Sequence, residues 1–264
     1  MTDQSAREWN SAVYHRLSGP QVSWGKKVLA RLRLRGDETV LDAGCGTGRL
    51  TVDLLEGLPN GRVTGVDLSQ NMLNSAREHL ASDFGGRLHL LACDLLHLPF
   101  KQVFDVVVST AAFHWVLDHD HLFLNLHDVL RPGGKLEAQC GGGPNLKRLR
   151  DRANVLMATP RFASFFSGYH EPWLYQDANG AAQTLRRAGF IDVETSTESA
   201  MTVLEDAAHF EEFVRSIIMR RHLDQLPTEE LRKEFIAGLT ERSAKDDPPF
   251  SLDYWRLNLR GRKA

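Results

Sequence analysis

Between Val40 and Thr51 the chain reads VLDAGCGTGRLT, a β-branched run ending in one carboxylate, Asp42, followed by Gly44, Gly46 and Gly48. Glycines at such a turn let the backbone approach a bound ligand and tolerate positive φ. A second acid, Asp67, stands twenty-five positions after Asp42, at the end of the next β-branched run, RVTGVD. In nucleotide-binding α/β folds an acid at this place accepts hydrogen bonds from the two ribose hydroxyls. Strand, glycine turn, helix, strand and terminal acid together outline a nucleoside-binding site, whereas three glycines alone would be equally compatible with packing.

The kind of nucleoside follows from charge. The dinucleotide fingerprint is G-x-G-x-x-G, and the register beginning at Gly46 would need glycine or alanine where Thr51 stands. Asp42 adds an electrostatic objection, because a carboxylate at the mouth of the loop repels a pyrophosphate. S-adenosylmethionine carries no phosphate; its ammonium and sulfonium are both favoured by a neighbouring carboxylate. The sequence therefore points to a sulfonium cofactor and away from a hydride-transferring oxidoreductase.

Other reactive side chains carry weaker signals. His114, His119 and His121 suggest a metal cluster at first, but residues two apart lie on different faces of a helix. A metal site needs three or four converging ligands, and no companion set is evident, so no metal is expected. His119 and His121 read as solvated residues at a helix start. His114 follows the fourth strand, whose carboxyl end faces the ligand crevice in such sheets, so it is a weak candidate for a base as well as a structural residue. Trp115 beside it, and the aromatics from Phe162 to Tyr175, read mostly as packing, with a few walling a site that attracts a sulfonium. The basic runs Lys147–Arg152 and Arg215–His222 read as solvated helix faces.

These groups need a scaffold, and the hydrophobic pattern supplies one. Apolar runs at Thr39–Ala43, Arg62–Asp67, Leu88–Ala92, Phe104–Ser109 and Lys135–Cys140 alternate with helical segments at Arg49–Leu58, Gln70–Ala81 and His119–Leu130. Such alternation predicts a parallel sheet covered by helices. Ser69 and Asp177 are expected N-caps, and Gly189 is expected just past the end of the helix from Asp177. A helix is expected near Asn145–Ala158 and another at Val22–Leu34, with strands at Ile191–Ser199 and Leu252–Arg262. The expected fold is a Rossmann-like, mostly parallel seven-stranded sheet flanked by helices, with a helical cap inserted near the C-terminus. One domain spans residues 1–264, divided into an N-terminal helical lid (1–36), a cofactor-binding core (37–204), a cap of two helices (205–249) and a closing strand (250–264).

Composition narrows the class. The chain has 264 residues, 42% hydrophobic and 25% charged, with a formal net charge of −2. Near-neutral charge argues against a dedicated nucleic-acid binder. No apolar run reaches the roughly 20 residues of a membrane span, and the polar opening MTDQSAREWN lacks the apolar centre of a secretory signal. Cys45, Cys93 and Cys140 are too few for a disulfide framework. The expected setting is cytoplasmic.

With these residues in view, VLDAGCGTG, GVDLS and Asp94 after the third strand resemble the class I S-adenosylmethionine-dependent methyltransferase family over Asp37 to Gln139. Over most of the chain the resemblance is to the trans-aconitate methyltransferase branch, through WNSAVYHRLSGPQ (Trp9–Gln21), FHWVLDHDHLF (Phe113–Phe123) and Gln139. The chain departs from that branch at CGGGPN, Cys140 to Asn145. The resemblance implies that Asp42, Gly46 and the backbone of Ala43, Gly44 and Cys45 contact the cofactor, with Asp67 on its ribose. Leu68 and Met72 would pack near the adenine, Asp94 and Leu95 would meet its amino group, and Thr110 would lie under the methionine part. Asp94 has a plainer alternative as a turn cap. The expected reaction is methylation of a small molecule, an organic acid on its carboxylate oxygen. Tyr14, Gln21, His114 and Trp115 would line the acceptor pocket, with Arg215, Arg220 or Arg221 as counter-ion. Methylation of nitrogen or carbon, and a binding protein that has lost its chemistry, are the alternatives. Base methylation is disfavoured because STAAFHW lacks a clamp for a flipped base. Oligomeric state stays open.

Overall fold

Five apolar runs form the parallel part of one sheet: β1 (Thr39–Ala43), β2 (Arg62–Asp67), β3 (Leu88–Ala92), β4 (Phe104–Thr110) and β5 (Leu130–Gly141). The structure is a computed structural model and describes residues 8–264; the first seven residues of the expected lid lie outside it. Two more strands, β6 (Ile191–Ser199) and β9 (Trp255–Arg262), complete the order β3-β2-β1-β4-β5-β9-β6, with β9 antiparallel to β5. A separate ribbon pairs β7 (Thr202–Val203) with β8 (Ser251–Leu252). The seven-stranded sheet is as expected.

The alternation of side chains explains why the centre of β4, Val106–Val108, is apolar at every position. Val106 and Val108 join Val40, Leu54 and Leu55 in one core, while Val107 joins Leu41, Phe123 and Leu185 in the other. A strand buried on both faces has no polar side to present. The first core packs under α2 (Gly19–Leu29) and α3 (Arg49–Glu56), the second under α5 (His119–Val129) and α7 (Ala178–Arg187). Between them in the chain lie α4 (Gln70–Phe84) and α6 (Lys147–Met157), and α1 (Ser11–Leu17) precedes them all.

The chain divides into two compact units. The sheet belongs to the first, made of the residues up to Gly143 with Trp173–Glu198 and Arg256–Ala264. The second joins Pro144–Pro172 to Ser199–Trp255, so it takes in α6 as well as the helices expected of the cap. It holds α8 (Ala207–Phe213), a π-helical turn at Val214–Ile218, α9 (Arg220–Leu223) and α10 (Glu229–Ser243). Phe162 and Phe166 pack on Phe235, and Arg152 grips Asp246 through two hydrogen bonds of 2.5 and 2.9 Å. The basic run containing Arg152 is thus partly tied into an ion pair and not merely solvated.

Several boundaries differ from expectation for local reasons. The helix expected at Val22–Leu34 is α2, which opens three residues earlier with Pro20 in its first turn and ends at Leu29; α1, which was not expected, precedes it, and Ser18 leaves helical geometry between the two. The strand expected at Lys135–Cys140 begins already at Leu130, so Arg131–Gly134 lie inside β5, where the register against β4 shifts and Gly133 takes a φ of +78°. The Leu252 end of the closing strand belongs to the β7–β8 ribbon. His119 is buried and bonds to Gln176 (2.8 Å) and the Phe113 carbonyl (3.0 Å), so it is not solvated. Among the described residues no helix is long and apolar enough to cross a membrane.

Phe123 shows how the core holds the site. It is fully buried and lies edge-on to Phe113, the residue before His114, at 5.9 Å. Phe123→Ala is expected to cost about 3–5 kcal/mol in chemical denaturation; a cost under about 1 kcal/mol would contradict this placement.

Candidate active site at the carboxyl edge of the sheet

The glycine loop is fastened to β2 before any ligand is considered. The amides of Gly44 and Cys45 both donate to the Val66 carbonyl, at 2.8 and 3.0 Å. The amide of Gly46 donates to the Asp67 carboxylate at 2.9 Å, and Ser69 donates to its other oxygen at 2.9 Å. Gly44 has a φ of +83°, and a Cβ there would lie 2.3 Å from that of Ala112, so only glycine fits. At Gly46 (φ +56°) a Cβ would meet nothing within 4 Å, which leaves open space at the bend of the loop.

These bonds refine the expected backbone contacts. The Gly44 and Cys45 N–H groups are committed to Val66, and the Ala43 carbonyl accepts from Ser109 Oγ at 2.6 Å. The Cys45 carbonyl already accepts from the Gly48 N–H at 3.0 Å, so what this stretch offers a ligand is the Gly44 carbonyl oxygen, which suits a cation. Asp42 is buried and takes one hydrogen bond, from Thr51 Oγ1 at 2.7 Å. Burial pushes its carboxyl up to about 6, partly offset by the Thr51 bond and reinforced by Asp67. Burial also raises Asp67, against the pull of its backbone hydrogen bonds. Two desolvated acids side by side make a pocket that favours positive charge.

The remaining expected cofactor residues lie along the same edge. Leu68 is 42% exposed, an apolar side chain turned to solvent just past β2, and Met72 is buried in the first turn of α4. Asp94 caps a short 3₁₀ turn through Leu96 N–H at 3.0 Å, and Leu95 is buried in that turn. The cap accounts for one carboxylate oxygen of Asp94 only. Thr110 ends β4, and the next residue, Ala111, takes a φ of +58°, which costs a residue with a Cβ about 1–2 kcal/mol.

The acceptor-side residues converge through aromatic contacts within the first unit. Trp9 lies edge-on to Tyr14 (5.7 Å) and Trp115 (5.5 Å), and Trp115 continues to Trp173 (5.8 Å). His114 is buried, and its Nδ1 accepts the Gly141 N–H at 3.3 Å. Burial drives its basicity well below the usual histidine range, with Arg256 and His119 adding to the effect. A neutral ring that accepts at Nδ1 carries its proton on Nε2, so His114 is a donor and a poor base. Tyr14 is pushed up to about 12 by burial, with Asp67 adding to it. Gln21 has a buried Oε1 with no hydrogen-bond partner among the described residues. Gln139, by contrast, bonds Asn258 (2.8 Å) and Glu198 (3.2 Å) inside the sheet layer.

Two residues escaped the sequence reading. Glu8 accepts from Ser69 Oγ (2.8 Å) and from the amides of Gln70 and Asn71, capping α4 and pinning the start of the described chain beside Asp67. Arg256, which the sequence places only within the expected strand Leu252–Arg262, is buried with its guanidinium 4.5 Å from the Trp24 ring. Of the arginines expected as counter-ions, Arg215 is held by Glu229 at 2.6 and 2.7 Å. Among the described residues no three His, Cys, Asp or Glu side chains could hold a metal ion. A cleft of about 670 Å³ lies at the opposite end of the strands, lined by Glu38, Asp105 and Arg262 among others; ligands of open α/β sheets bind at the carboxyl ends instead.

Comparison with known proteins agrees with this layout. A methyltransferase-domain family profile matches residues 40–134. The trans-aconitate 2-methyltransferase of Rhodopseudomonas palustris (strain BisA53) is 30% identical over 253 residues, 92% of each chain. That of Variovorax paradoxus (strain S110) is 30% identical over 264 residues, 95% of this chain and 94% of the relative. Among solved structures, Haemonchus contortus phosphoethanolamine N-methyltransferase 2 with S-adenosyl-L-methionine matches 96% of this chain and 56% of its own, with a TM-score of 0.63 and 20% identity. The YcgJ protein of Bacillus subtilis matches 94% of this chain and 98% of its own, with a TM-score of 0.58 and 16% identity. Those two likenesses concern the fold alone.

The Asp67 geometry makes a direct prediction. With Asp67 in its expected place on the ribose, Asp67→Ala would remove an ionised acceptor for two hydroxyls, each bond being worth roughly 1.5–3 kcal/mol, so S-adenosylhomocysteine affinity should fall about a hundredfold or more. Calorimetric titration measures it, and unchanged affinity in a folded variant would remove the ribose role.

Proposed function

The chain belongs to the S-adenosylmethionine-dependent methyltransferases, in the family of the trans-aconitate 2-methyltransferases, and from that premise we propose that it methylates a carboxylate oxygen of a small organic acid. The observation that carries this reading is the burial and hydrogen bonding of the groups at the carboxyl edge. His114 is neutral with Nδ1 committed to Gly141. Tyr14 keeps its proton, and burial raises Cys45 well above the ordinary thiol range and Cys140 to about 12. Asp42 is held by Thr51 and Asp67 by two amides, positions that suit the cofactor. An ammonium or carbon acceptor must give up a proton, and among the described residues this edge presents no base poised to take it. A carboxylate is ionised already at pH 7.

The residues present fit the cofactor: open space beside Gly46, a buried acid that favours a cation, and a strand-end carboxylate facing a ribose position. When bound, the cofactor supplies a methyl group activated on a positively charged sulfur, which departs as a neutral thioether. The protein then has only to hold and desolvate the two reactants. Asp42 balances the ammonium, Asp67 takes the ribose hydroxyls, and Leu68 and Met72 flank the adenine. Asp94, through its second oxygen, and Leu95 meet the amino group, and Thr110 supports the methionine part. On the acceptor side, Trp9 and Trp115 exclude water, while Tyr14 O–H, His114 Nε2–H and the Gln21 amide offer hydrogen bonds to an acid.

This assignment fixes a pH profile. With cofactor and acid saturating, kcat should be flat from about pH 6 to 8, since the nucleophile loses its proton near pH 4. His114→Asn should keep that flat profile. A limb rising with an apparent pKa of about 6.5 that vanishes in His114→Asn would instead make His114 a base and overturn the carboxylate reading.

A further inference from the structure

We infer that Arg256 is the residue that receives the acceptor's carboxylate and so makes the site selective for anions. The inference rests on the reading above and names the group that holds its substrate. Arg256 is the second residue of β9, and the register sets it opposite Gly141, the last residue of β5. An antiparallel strand begins where its parallel neighbour ends. Arg256 therefore enters the sheet at the carboxyl edge, across from the amide that holds His114 Nδ1.

Alternation along β9 places Arg256 on the same face as Asn258, Arg260 and Arg262, the face covered by α2. Along that face the burial changes. Arg260 is 43% exposed at its side chain and is engaged by Glu137 and Glu194, and Arg262 is 39% exposed and meets Asp192. Arg256, at the ligand end, is 3% exposed and lies over the indole of Trp24. A guanidinium carries its N–H donors in its own plane, the geometry that meets a carboxylate through two parallel bonds.

Its charge is felt by the groups already assigned to the acceptor side. Burial raises Tyr14 and lowers His114, and Arg256 acts on both, favouring the phenolate of one and disfavouring the imidazolium of the other. Gln21 stands three residues before Trp24 on α2, hence on the same helix face, with its buried Oε1. A desolvated positive charge beside these groups attracts an ionised acid and repels an ammonium, which discriminates between acceptor classes as well as binding one.

The test uses the full-length enzyme, trans-aconitate as the acceptor probe and S-adenosylhomocysteine as the cofactor probe. Arg256→Met should raise KM for the acid about a hundredfold, with kcat changed far less and S-adenosylhomocysteine affinity kept within about threefold. Arg256→Lys, which keeps the charge without the fork, should raise KM about tenfold, and it serves as the deciding variant if Arg256→Met does not fold. An unchanged KM in a variant that binds S-adenosylhomocysteine overturns the inference. Failure of the functional reading looks different, as absence of methyl transfer to carboxylic acids by the unmodified enzyme. In that event trans-aconitate binding to the S-adenosylhomocysteine-loaded protein decides: binding weakened about tenfold or more in Arg256→Lys supports the anion site, and no binding to the unmodified protein, or equal binding in both, rejects it.

Discussion

The bond from the Gly46 amide to the Asp67 carboxylate is the tie on which the site depends. It joins the bend after β1 to the end of β2, and with the two amides on Val66 it sets a loop in which Gly44, Gly46 and Gly48 are all left-handed. The tie keeps two acids together: Asp42 below the loop and Asp67 at its rim. Holding Asp42 ionised near pH 7 with a carboxyl shifted from 3.8 to about 6 costs the cofactor-free protein on the order of 3 kcal/mol. A cation placed beside that acid recovers part of the cost, so the fold stores a preference for positively charged ligands. The same acid makes the loop a poor seat for pyrophosphate.

The N-terminal helices extend this constraint to the acceptor side. Glu8 caps α4 beside Asp67, Arg49 in the first turn of α3 donates to the His15 carbonyl at 2.7 Å, and Asn10 caps α1. Trp9 and Tyr14 thus sit near Trp115 because the elements that hold the glycine loop also hold them. The residues proposed for cofactor and acceptor are thus positioned by one set of bonds, and in the proposed reaction little adjustment would be needed to align a methyl group with its nucleophile.

Much of this was legible in the sequence because the physics was local. Alternation and turn chemistry marked β1, β2, β3 and β6 at their observed limits, and Ser69 and Asp177 cap the helices they were expected to cap. The glycine loop and its two acids declared themselves by spacing. The features that escaped depend on contacts distant in sequence. His119 looks like a solvated helix start until Gln176, fifty-seven residues away, is brought to it. Arg256 is indistinguishable in sequence from Arg260 two turns of the pleat later; only the antiparallel entry of β9 buries one and exposes the other. Glu8 gives no signal, because its partners lie at the start of α4. The Asp94 cap was foreseen as an alternative, and both of its roles are compatible with two carboxylate oxygens.

The central claim is that a buried, reluctantly ionised Asp42 creates the demand for a cationic cofactor, and proton release on binding tests it most directly. Calorimetry in buffers of different ionisation enthalpy counts the protons exchanged when S-adenosylhomocysteine binds. Because Asp42 is raised in the free protein and a neighbouring ammonium lowers it again, binding should expel about half a proton at pH 6 from this group, fading towards neutral pH. Asp42→Asn should lose that release. Proton uptake in this range, or release that survives in Asp42→Asn, would contradict the account.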